Sequence, residues 1–415
     1  MLFVNYPDSV HFLYALGNEI KTAKLGLDRI SRVLDELGRP QDRLRFIHVA
    51  GTNGKGSVCA MIESGLRAAG RRTGLFTSPH LAEPTERIRI DGCPISAARF
   101  TDAFAKVHAA VERVLDMHTT YFETVTAMAF VVFAEEAVDS VVLEVGLGGR
   151  LDATNVVTPQ LCVITSIDYD HEQYLGRSLE AIAGEKAGIL KPGIPAVLSP
   201  QRPEAGRVLE ARAAERNVAI VRPREPADVR LDARSSQFRL GDLQITCPLA
   251  GEHQVQNAAT AAAALEQIGL APAAIESGIA AARWPGRLEH VGADPDIVLD
   301  GAHNPAGARA LAAYIDRFYG ARPVRLIFGA MRDKAIDEIS GVLFPRAQQV
   351  IVTAPRQQRA LAPEALAEAV HHPDLRTAAN IEDALAHVRD AGPEEAIFIT
   401  GSLFLVAEAR ALLVG

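Results

Sequence analysis

The sequence predicts an α/β fold of two unequal domains, each built around a mostly parallel sheet. Apolar runs of strand length alternate with helical patterns through most of the chain. The run Ser140-Val141-Val142-Leu143-Glu144-Val145 is apolar on consecutive positions, which is typical of a parallel strand covered on both faces. The alternation breaks at Arg283-Trp284-Pro285-Gly286-Arg287, which we interpret as a linker. The predicted domains are therefore residues 1–285 and 286–415.

Length and composition set the outer limits. A chain of 415 residues fits two or three domains at about 150 residues each, and the motifs below favour two. Hydrophobic residues make up 48% of the chain and charged residues 23%, which are ordinary values for a globular protein. The formal net charge of −8 gives no global basic field, so we expect no nucleic-acid partner.

The four cysteines and the N-terminal sequence predict a compartment. Cys59, Cys93, Cys162 and Cys247 form no Cys-x-x-Cys pair, which argues against a disulfide scaffold and a thiolate zinc site. The first twenty residues lack the basic start of a secretion signal, and no apolar stretch approaches the ~18 residues of a membrane span. We expect a cytoplasmic monomer without a membrane partner.

The elements of the N-terminal domain follow in order. Arg45 to Ala50 reads as a strand, followed by a glycine-rich turn and an amphipathic helix from Ser57 to Ala69. The later elements are a strand from Thr73 to Thr77, a helix from Thr124 to Ala137, strands at Ser140–Val145 and Gln160–Ile167, a helix ending between Gly184 and Leu190, a hairpin near Phe238 to Thr246, and an alanine-rich helix from Gln256 to Gln267.

A second strand and helix series begins at Ile297. Strands are predicted at Ile297–Asp300, Val324–Phe328, Gln349–Thr353 and Ala396–Thr400, and helices at Pro305–Arg317, Lys334–Leu343, Pro363–Val370, Ile381–Arg389 and Leu403–Leu413. This pattern predicts a second, smaller doubly wound domain.

A glycine-rich loop gives the sharpest chemical signal. It lies between a predicted strand and a predicted helix and reads Gly51-Thr52-Asn53-Gly54-Lys55-Gly56-Ser57. Glycines let backbone amides surround phosphate oxygens, a helix N-terminus favours anions, and Lys55 adds a positive charge. The usual phosphate-loop formula has glycine where Val49 stands and Ser or Thr where Gly56 stands, so this is a variant. The alternative is a glycine turn with a solvated lysine, which the flanking elements disfavour.

Several separated motifs, read with this loop, resemble the folylpolyglutamate synthase and dihydrofolate synthase family of Mur-type ATP-dependent ligases. They are Ser78-Pro79-His80-Leu81, Glu86-Arg87-Ile88, Thr120-Tyr121-Phe122-Glu123, the run from Leu143 to Asn155, Asp170-His171, Glu185-Lys186-Ala187-Gly188-Ile189, Pro285-Gly286-Arg287, Asp300-Gly301-Ala302-His303-Asn304-Pro305 and Thr400-Gly401-Ser402-Leu403. The resemblance implies a P-loop Mur-ligase-like domain followed by a Rossmann-like domain. Residues 197–249 carry none of these motifs.

The resemblance also implies a metal site. Members of the family hold Mg²⁺ between positions matching Ser78, Glu144 and His171, and a second Mg²⁺ at a carbamylated lysine matching Lys186. From the residues alone a lone histidine is an unexpected magnesium ligand, so a core histidine and a capping glutamate remain an equal alternative. For Lys186 the alternative is a surface or salt-bridged lysine. The catalytic candidates are Lys55, Lys186 and His171, with His171 as a ligand instead of a base.

The resemblance assigns the nucleotide and glutamate residues as well. ATP is expected at the glycine-rich loop and at Asn257, Arg287 and Asp300, and the incoming glutamate at His303 and Ser402. The alternatives are a helix cap at Asn257, an interdomain ion pair for Arg287 and Asp300, a helix N-terminal histidine, and an N-cap at Ser402.

The same resemblance places the pterin end of the substrate. It is expected at two segments, Thr120, Tyr121, Phe122 and Glu123, and Leu151, Asp152 and Ala153. An aromatic pair beside a carboxylate suits a flat heterocycle, although such pairs lie in the core more often.

The predicted reaction joins L-glutamate to dihydropteroate and to reduced folates through an acyl phosphate, with ATP as cosubstrate. A muramyl ligase is the alternative within the class, but only about 45 residues precede the first strand, too few for a nucleotide-sugar domain. From another class, a P-loop ATPase or GTPase switch would require neither a folate pocket nor a glutamate domain.

Overall fold

The computed structural model describes residues 5–17, 26–114 and 118–414. The chain forms two compact units. The first contains Met1–Glu225 and Asn257–Ala281, and the second contains Pro226–Gln256 and Ala282–Gly415. The chain passes between the units three times, at 225/226, 256/257 and 281/282, and the second of these junctions lies inside a helix.

The first unit is centred on an eight-stranded sheet of order β4-β3-β2-β5-β1-β6-β7-β8. Its strands are β1 Phe46–Ala50, β2 Thr73–Phe76, β3 Ile88–Ile90, β4 Cys93–Pro94, β5 Ser140–Glu144, β6 Leu161–Ile164, β7 Ala196–Leu198 and β8 Ile220–Val221. The six strands from β2 to β8 in this order pair in parallel, while β3 and β4 pair antiparallel at one edge.

Ten helices accompany this sheet in the described residues. They are α1 Tyr6–Ala15, α2 Asp28–Glu36, α3 Lys55–Ala68, α4 Ala97–Val114, α5 Tyr121–Glu135, α6 Glu172–Leu175, α7 Leu179–Lys186, α8 Pro203–Glu215, α9 Glu252–Gln267 and α10 Pro272–Ala281. Helices α1, α2, α4 and α5 share an apolar cluster with β1, β2 and β5, including Phe46 and Phe76. A second cluster joins α6, α7 and α8 to β6 and β7.

Parallel pairing determines where the functional loops lie. Because β1, β2, β5, β6 and β7 run in the same direction, the loops that follow them leave the sheet at one edge. Ligands of open α/β sheets bind at this carboxyl edge. It carries the glycine-rich loop after β1, Ser78 after β2, Glu144 at the end of β5 and Asp170-His171 after β6.

The second unit contains a six-stranded sheet of order β12-β13-β17-β14-β15-β16. Its strands are β12 Glu289–Ala293, β13 Asp296–Leu299, β14 Val324–Phe328, β15 Gln349–Val352, β16 Leu375–Thr377 and β17 Ala396–Thr400, and its helices are α11 Pro305–Tyr319, α12 Ile336–Leu343, α13 Pro363–Ala369, α14 Ile381–Ala386 and α15 Leu403–Leu413. Only β12 pairs antiparallel in this sheet. The predicted doubly wound α/β domain is therefore present.

Residues 226–256 form a three-stranded antiparallel sheet in the second unit, of strands β9 Ala227–Leu231, β10 Ser236–Leu240 and β11 Leu243–Cys247. The predicted hairpin is confirmed, with Phe238 paired to Ile245. Buried and exposed residues alternate along β10 and β11, as they do in a sheet with one covered face. The sequence grouped this segment with residues 1–285, whereas the structure packs it with the C-terminal residues.

Two predicted helix starts are wrong. Helix α5 begins at Tyr121 and not at Thr124, because Thr120 and Glu123 form a reciprocal capping box at its N-terminus. Helix α9 begins at Glu252, so Asn257 lies in its second turn and does not cap it. The polar residues of the first turn hid this start in the sequence.

The sequence predicted neither a membrane span nor a disulfide scaffold. Among the described residues, no helix has the length and apolar character to cross a membrane. The four cysteines are all free, and three of them are buried.

Candidate nucleotide- and substrate-binding site

The glycine-rich loop joins β1 to the N-terminus of α3. Gly54 caps α3 with a φ of 84°, and Gly51 has a φ of 151°, both in a region that glycine adopts without strain. The first amides of an α-helix have no intrahelical acceptor, so the start of α3 at Lys55 presents N–H donors and a positive potential. The predicted phosphate-binding geometry is therefore formed locally by the loop and the helix.

The loop rests on the segment that follows β6. The amides of Thr52 and Asn53 both donate to the Ser166 carbonyl, at 2.9 and 3.2 Å. The Thr52 hydroxyl donates to the Asp168 carbonyl at 3.0 Å and accepts from the Asp168 amide at 3.2 Å. These bonds fix Thr52 and Asn53. The amides at the helix start, from Lys55 onward, belong to the part of the loop that we expect to bind a ligand.

Two lysines converge on the carbonyl of Gly51. Lys55 Nζ donates to it at 3.1 Å and to the Thr52 carbonyl at 3.2 Å, while Lys186 Nζ donates to the Gly51 carbonyl at 2.8 Å. Lys186 is buried, so its alternative as a surface lysine is wrong. Burial and the neighbouring charge of Lys55 lower the pKa of Lys186 to about 7, against the opposing effect of Asp170 and Asp152.

The expected magnesium residues lie at one edge of the sheet, at or after the ends of β2, β5 and β6. Glu144 is buried at the end of β5, and its Oε2 accepts the Ser78 amide at 3.1 Å. His171 follows β6 with a φ of 52°, its amide donates to the Asp170 carboxylate at 2.9 Å, and its Nδ1 lies 3.9 Å from that carboxylate. Within the described residues, no three His, Cys, Asp or Glu side chains are grouped to hold a metal by themselves.

Asn257 approaches the glycine-rich loop from α9. A Cβ atom added to Gly54 would lie 2.3 Å from Asn257 Oδ1, so the side chain packs directly on the loop backbone. The predicted nucleotide residue therefore lies beside the phosphate loop, although the sequence reasoning placed it at the wrong point of the helix.

Replacing Gly54 with alanine is expected to weaken nucleotide binding and to destabilise the protein by about 1–2 kcal/mol. The new Cβ meets Asn257 and the positive φ disfavours any L side chain. Denaturant unfolding and calorimetric ADP titration measure both effects. The control is Gly341→Ala on α12, where nothing lies within 4 Å of the added Cβ. Equal behaviour of the two variants would contradict this description of the loop.

The first predicted pterin segment forms the N-terminus of α5. Glu123 is buried, accepts the Thr120 amide at 2.8 Å and forms an ion pair with Arg29 at 2.9 Å. Tyr121 is buried and stacks on Tyr14 with ring centroids 5.8 Å apart. Phe122 lies against Gly146, where an added Cβ would come within 2.5 Å of the ring. This segment thus combines aromatic rings with a paired carboxylate.

The second predicted pterin segment surrounds Asp152. This buried carboxylate accepts from the amides of Gly146 and Leu147, at 3.1 and 2.9 Å, and from the Thr154 amide at 3.0 Å. Burial nevertheless raises its pKa above the usual value. Asp152 therefore holds together the loop after β5, with Leu151 half-buried and Ala153 buried on either side.

Sequence reasoning assigned no role to four residues beside the first pterin segment. Arg87 is buried, donates from Nε to His80 Nδ1 at 2.7 Å and lies 5.0 Å from the centre of the Tyr121 ring. Burial and the Arg87 charge lower the pKa of His80 well below its usual value, which keeps the ring neutral. His80 and Arg87 belong to motifs quoted above, whereas Tyr14 and Arg29 have no local signal.

The second unit contains the remaining predicted residues. Asp300 is buried after β13 and accepts the amides of Leu288 and Ala302, both at 3.0 Å. Arg287 packs on Gly301, where an added Cβ would come within 2.8 Å of Nη1. His303 Nδ1 lies 2.8 Å from the Gly301 carbonyl. The structure therefore gathers Arg287, Asp300 and His303 around one turn.

Ser402 and His303 each stand before a helix. Ser402 is buried and accepts the Phe404 amide at 3.1 Å, which makes it the N-cap of α15. Asn304, and not His303, caps α11. The loops that carry them follow neighbouring parallel strands, β13 and β17, and the Gly401 amide donates to the Ala302 carbonyl at 3.0 Å.

Comparison with known domain families gives the class of the protein. The Mur ligase middle domain matches residues 49–265, and the Mur ligase glutamate ligase domain matches residues 286–403. Together with the phosphate loop at the edge of the parallel sheet, these matches define the chain as a Mur ligase, an ATP-dependent ligase that forms amide bonds.

Similar proteins narrow the class. A Bacillus subtilis protein named dihydrofolate synthase/folylpolyglutamate synthase is 36% identical over 99% of both chains. A Mycobacterium tuberculosis folylpolyglutamate synthase structure with ADP and AMPPCP aligns with a TM-score of 0.89 at 36% identity, covering 98% of this chain and 99% of that one. Escherichia coli FolC with DHPP and ADP aligns with a TM-score of 0.89 at 33% identity, covering 99% and 98%. The chain belongs to the folylpolyglutamate synthase and dihydrofolate synthase family, and the expected family and fold class are confirmed.

Proposed function

We propose that this protein ligates L-glutamate to dihydropteroate and to reduced folates, with ATP converted to ADP and phosphate. One observation carries the proposal: Lys55 and the buried Lys186 converge on the Gly51 carbonyl of a phosphate loop, at the sheet edge that also carries Glu144. The relatives described with ADP, AMPPCP and DHPP support the same substrates.

The chemistry proceeds in two balanced steps. An oxygen of the substrate carboxylate attacks the γ-phosphorus of ATP, the bond to the β–γ bridging oxygen breaks, and an acyl phosphate and ADP result. The amine of glutamate then attacks the acyl carbon, phosphate leaves, the nitrogen loses a proton, and an amide forms. Phosphoryl transfer depends mainly on positioning and on neutralising charge.

The glycine-rich loop supplies both requirements for the nucleotide. The amides at the start of α3, with Gly54, Gly56 and Ser57, surround phosphate oxygens, and Lys55 turns from its loop carbonyls to the terminal phosphates. Asn257 lies beside this loop. Arg287 and Asp300 are proposed as further ATP residues, and both lie on one turn of the second unit.

The side chains of the sheet edge fit a magnesium ion that arrives with ATP. The carboxylate of Glu144 and the hydroxyl of Ser78 are oxygen donors of the kind that Mg²⁺ prefers, and the Ser78 amide lies 3.1 Å from the carboxylate. Mg²⁺ usually takes its other ligands from water and phosphate oxygens, so few protein ligands suffice, and His171 joins Ser78 and Glu144 in the proposed set through the family resemblance. When bound, the ion neutralises developing phosphate charge.

Lys186 suits carbamylation. A pKa of about 7 leaves much of its amine neutral at pH 7–8, and only the neutral amine attacks carbon dioxide. The neutral amine forms an N–C bond with carbon dioxide and releases one proton, which gives an anion; counted from the ammonium form, two protons leave in all. The carbamate nitrogen keeps one N–H, so the hydrogen bond to the Gly51 carbonyl survives. The new oxygens then serve a second Mg²⁺.

The remaining substrate contacts divide between the two domains. The pterin binds between Thr120–Glu123 and Leu151–Ala153, where Phe122 and Tyr121 offer ring faces. L-Glutamate binds at His303 and Ser402. We assign the glycine-rich loop, Asn257 and the folate segments to residues 1–285, and we assign the glutamate residues, together with Arg287 and Asp300, to residues 286–415. The protein acts as a cytoplasmic monomer on small molecules, without nucleic-acid or membrane partners.

A coupled assay of ADP release tests this function. Purified protein with ATP and Mg²⁺ is expected to release ADP only when dihydropteroate and L-glutamate are both present, and separately with a reduced folate and glutamate. If the reduced folate supports ADP release and dihydropteroate does not, with glutamate present in both assays, the dihydrofolate synthase activity is removed from the proposal. Full-rate ATP hydrolysis without any folate would instead indicate a nucleotide-driven switch.

A further inference from the structure

The segment after β7 contacts the surroundings of the phosphate loop, although it lies where the sequence shows no family motif. Gln201 spans the turn after β6 with both ends of its side-chain amide. Its Nε2 donates to the Thr165 carbonyl at 3.0 Å, and its Oε1 accepts the Ile167 amide at 3.1 Å. One half-buried side chain therefore fixes the backbone on both sides of Ser166.

Ser166 is the residue on which the phosphate loop rests. Its carbonyl accepts the amides of Thr52 and Asn53, and the Thr52 hydroxyl exchanges two hydrogen bonds with the backbone of Asp168. The direction of the Ser166 carbonyl thus sets the position of the loop. Gln201 holds the Ile167 amide, which shares a peptide plane with the Ser166 carbonyl, and the Thr165 carbonyl before it, so it contributes to that direction.

Ser199 makes a second connection from the same segment. Its hydroxyl lies 2.8 Å from the Thr260 hydroxyl on α9, and both residues are buried. Thr260 stands about one helical turn after Asn257, whose side chain packs on Gly54. The amide of Ser199 is anchored in turn by the Ile164 carbonyl at 2.9 Å.

We propose that Ser199 and Gln201 are positioning residues for the nucleotide. They hold the two supports of the phosphate loop, the turn after β6 and helix α9, in one arrangement before ATP arrives. Preorganised donors bind a phosphate more tightly than donors that must be ordered by it. The inference rests on the proposed function, because it concerns the affinity of the same ATP site.

A purely structural role for these side chains makes a different prediction. Lost hydrogen bonds that only stabilise the fold lower the melting temperature and leave every KM of the folded protein unchanged. Lost positioning acts on the phosphate loop, so it raises the KM for ATP and the Kd for ADP selectively. The KM values for dihydropteroate and glutamate stay within about twofold under both interpretations.

Gln201→Met removes both hydrogen bonds at nearly constant volume. We expect the KM for ATP and the calorimetric Kd for ADP with Mg²⁺ to rise about tenfold, as the loss of two partly buried hydrogen bonds implies. The matched control is Gln237→Met, which makes the same chemical change on the exposed face of β10 and leaves both constants unchanged. Circular dichroism melting compares the stability of the two variants.

Ser199→Ala tests the hydrogen bond to Thr260 on α9 with a smaller change. If the Gln201→Met variant does not fold, this variant tests the positioning role by itself. We expect a rise of about threefold in the same two constants. If both variants keep the wild-type KM for ATP and Kd for ADP, and the unaltered protein ligates glutamate normally, the inference is overturned. If the unaltered protein neither binds ADP nor ligates glutamate, the proposed function itself fails.

Discussion

Lys55→Met is expected to lower kcat/KM for ATP-dependent ligation by about a thousandfold, which corresponds to about 4 kcal/mol of transition-state stabilisation. Lys55 opens helix α3 at the mouth of the phosphate loop, and its ammonium already lies within 3.2 Å of two loop carbonyls. ATP replaces these weak acceptors with phosphate oxygens that gain charge as the γ-phosphoryl group leaves. The methionine variant keeps the approximate volume of the side chain and removes only the positive charge that neutralises the phosphate.

The control for this prediction is Lys106→Met. Lys106 is exposed and pairs with Asp102 and Glu135, and exposed pairs contribute little. We expect that variant to keep the activity of the unaltered protein. A Lys55→Met protein with more than about a tenth of normal activity would contradict the assignment of the loop to ATP phosphates.

Lys186→Met is expected to lower ligation by at least about a hundredfold. If the carbamate is the active form, small carboxylates such as acetate or propionate restore part of the lost activity, because they replace the missing oxygens. The same carboxylates leave the Lys106→Met protein unchanged. Absence of rescue would mean that Lys186 acts only through its hydrogen bond to the Gly51 carbonyl.

Carbon dioxide and pH give an independent test of Lys186. Because its pKa is about 7, roughly nine-tenths of the amine is protonated at pH 6, so carbamate and activity fall as the pH drops below 7. Added bicarbonate raises the activity of carbon-dioxide-depleted protein, and ¹³C-labelled bicarbonate gives a carbamate resonance that the Lys186→Met variant lacks. Activity independent of bicarbonate from pH 6 to 8 would exclude the modification.

The parts of this protein that the sequence predicted are those that depend on local pattern. Consecutive apolar residues identified β1 and β5, and the glycines before Lys55 identified the phosphate loop, because both signals lie within one short window. The hairpin of β10 and β11 was found in the same way. The strand ends that carry Ser78, Glu144 and His171 lie at one edge of the sheet, because β2, β5 and β6 run in the same direction.

Features that arise from distant contacts were not predicted. Gln201 meets Thr165 and Ile167 across more than thirty residues, and Arg29 meets Glu123 across more than ninety. No local pattern encodes such pairs. The first turn of α9 was missed because its residues are polar and its start follows a turn at Gly251 with a φ of 95°. Strand β16, with three residues, falls below the length at which periodicity is informative.

The net charge of the chain does not favour the binding of its anionic substrates. ATP, folate and glutamate are all negative, whereas the chain has a formal charge of −8. Attraction must therefore come from local groups such as Lys55, Arg287 and the start of α3, together with bound magnesium.

Transfer of ¹⁸O from substrate to phosphate shows whether ligation passes through an acyl phosphate. Dihydropteroate labelled with ¹⁸O in its carboxylate is incubated with protein, ATP, Mg²⁺ and L-glutamate, and the phosphate and the folate product are analysed by mass spectrometry. An acyl phosphate requires one ¹⁸O atom in each phosphate released, with ADP, phosphate and the glutamate conjugate formed in equal amounts. Unlabelled phosphate would exclude the acyl phosphate, and ADP release without the amide product would exclude glutamate ligation.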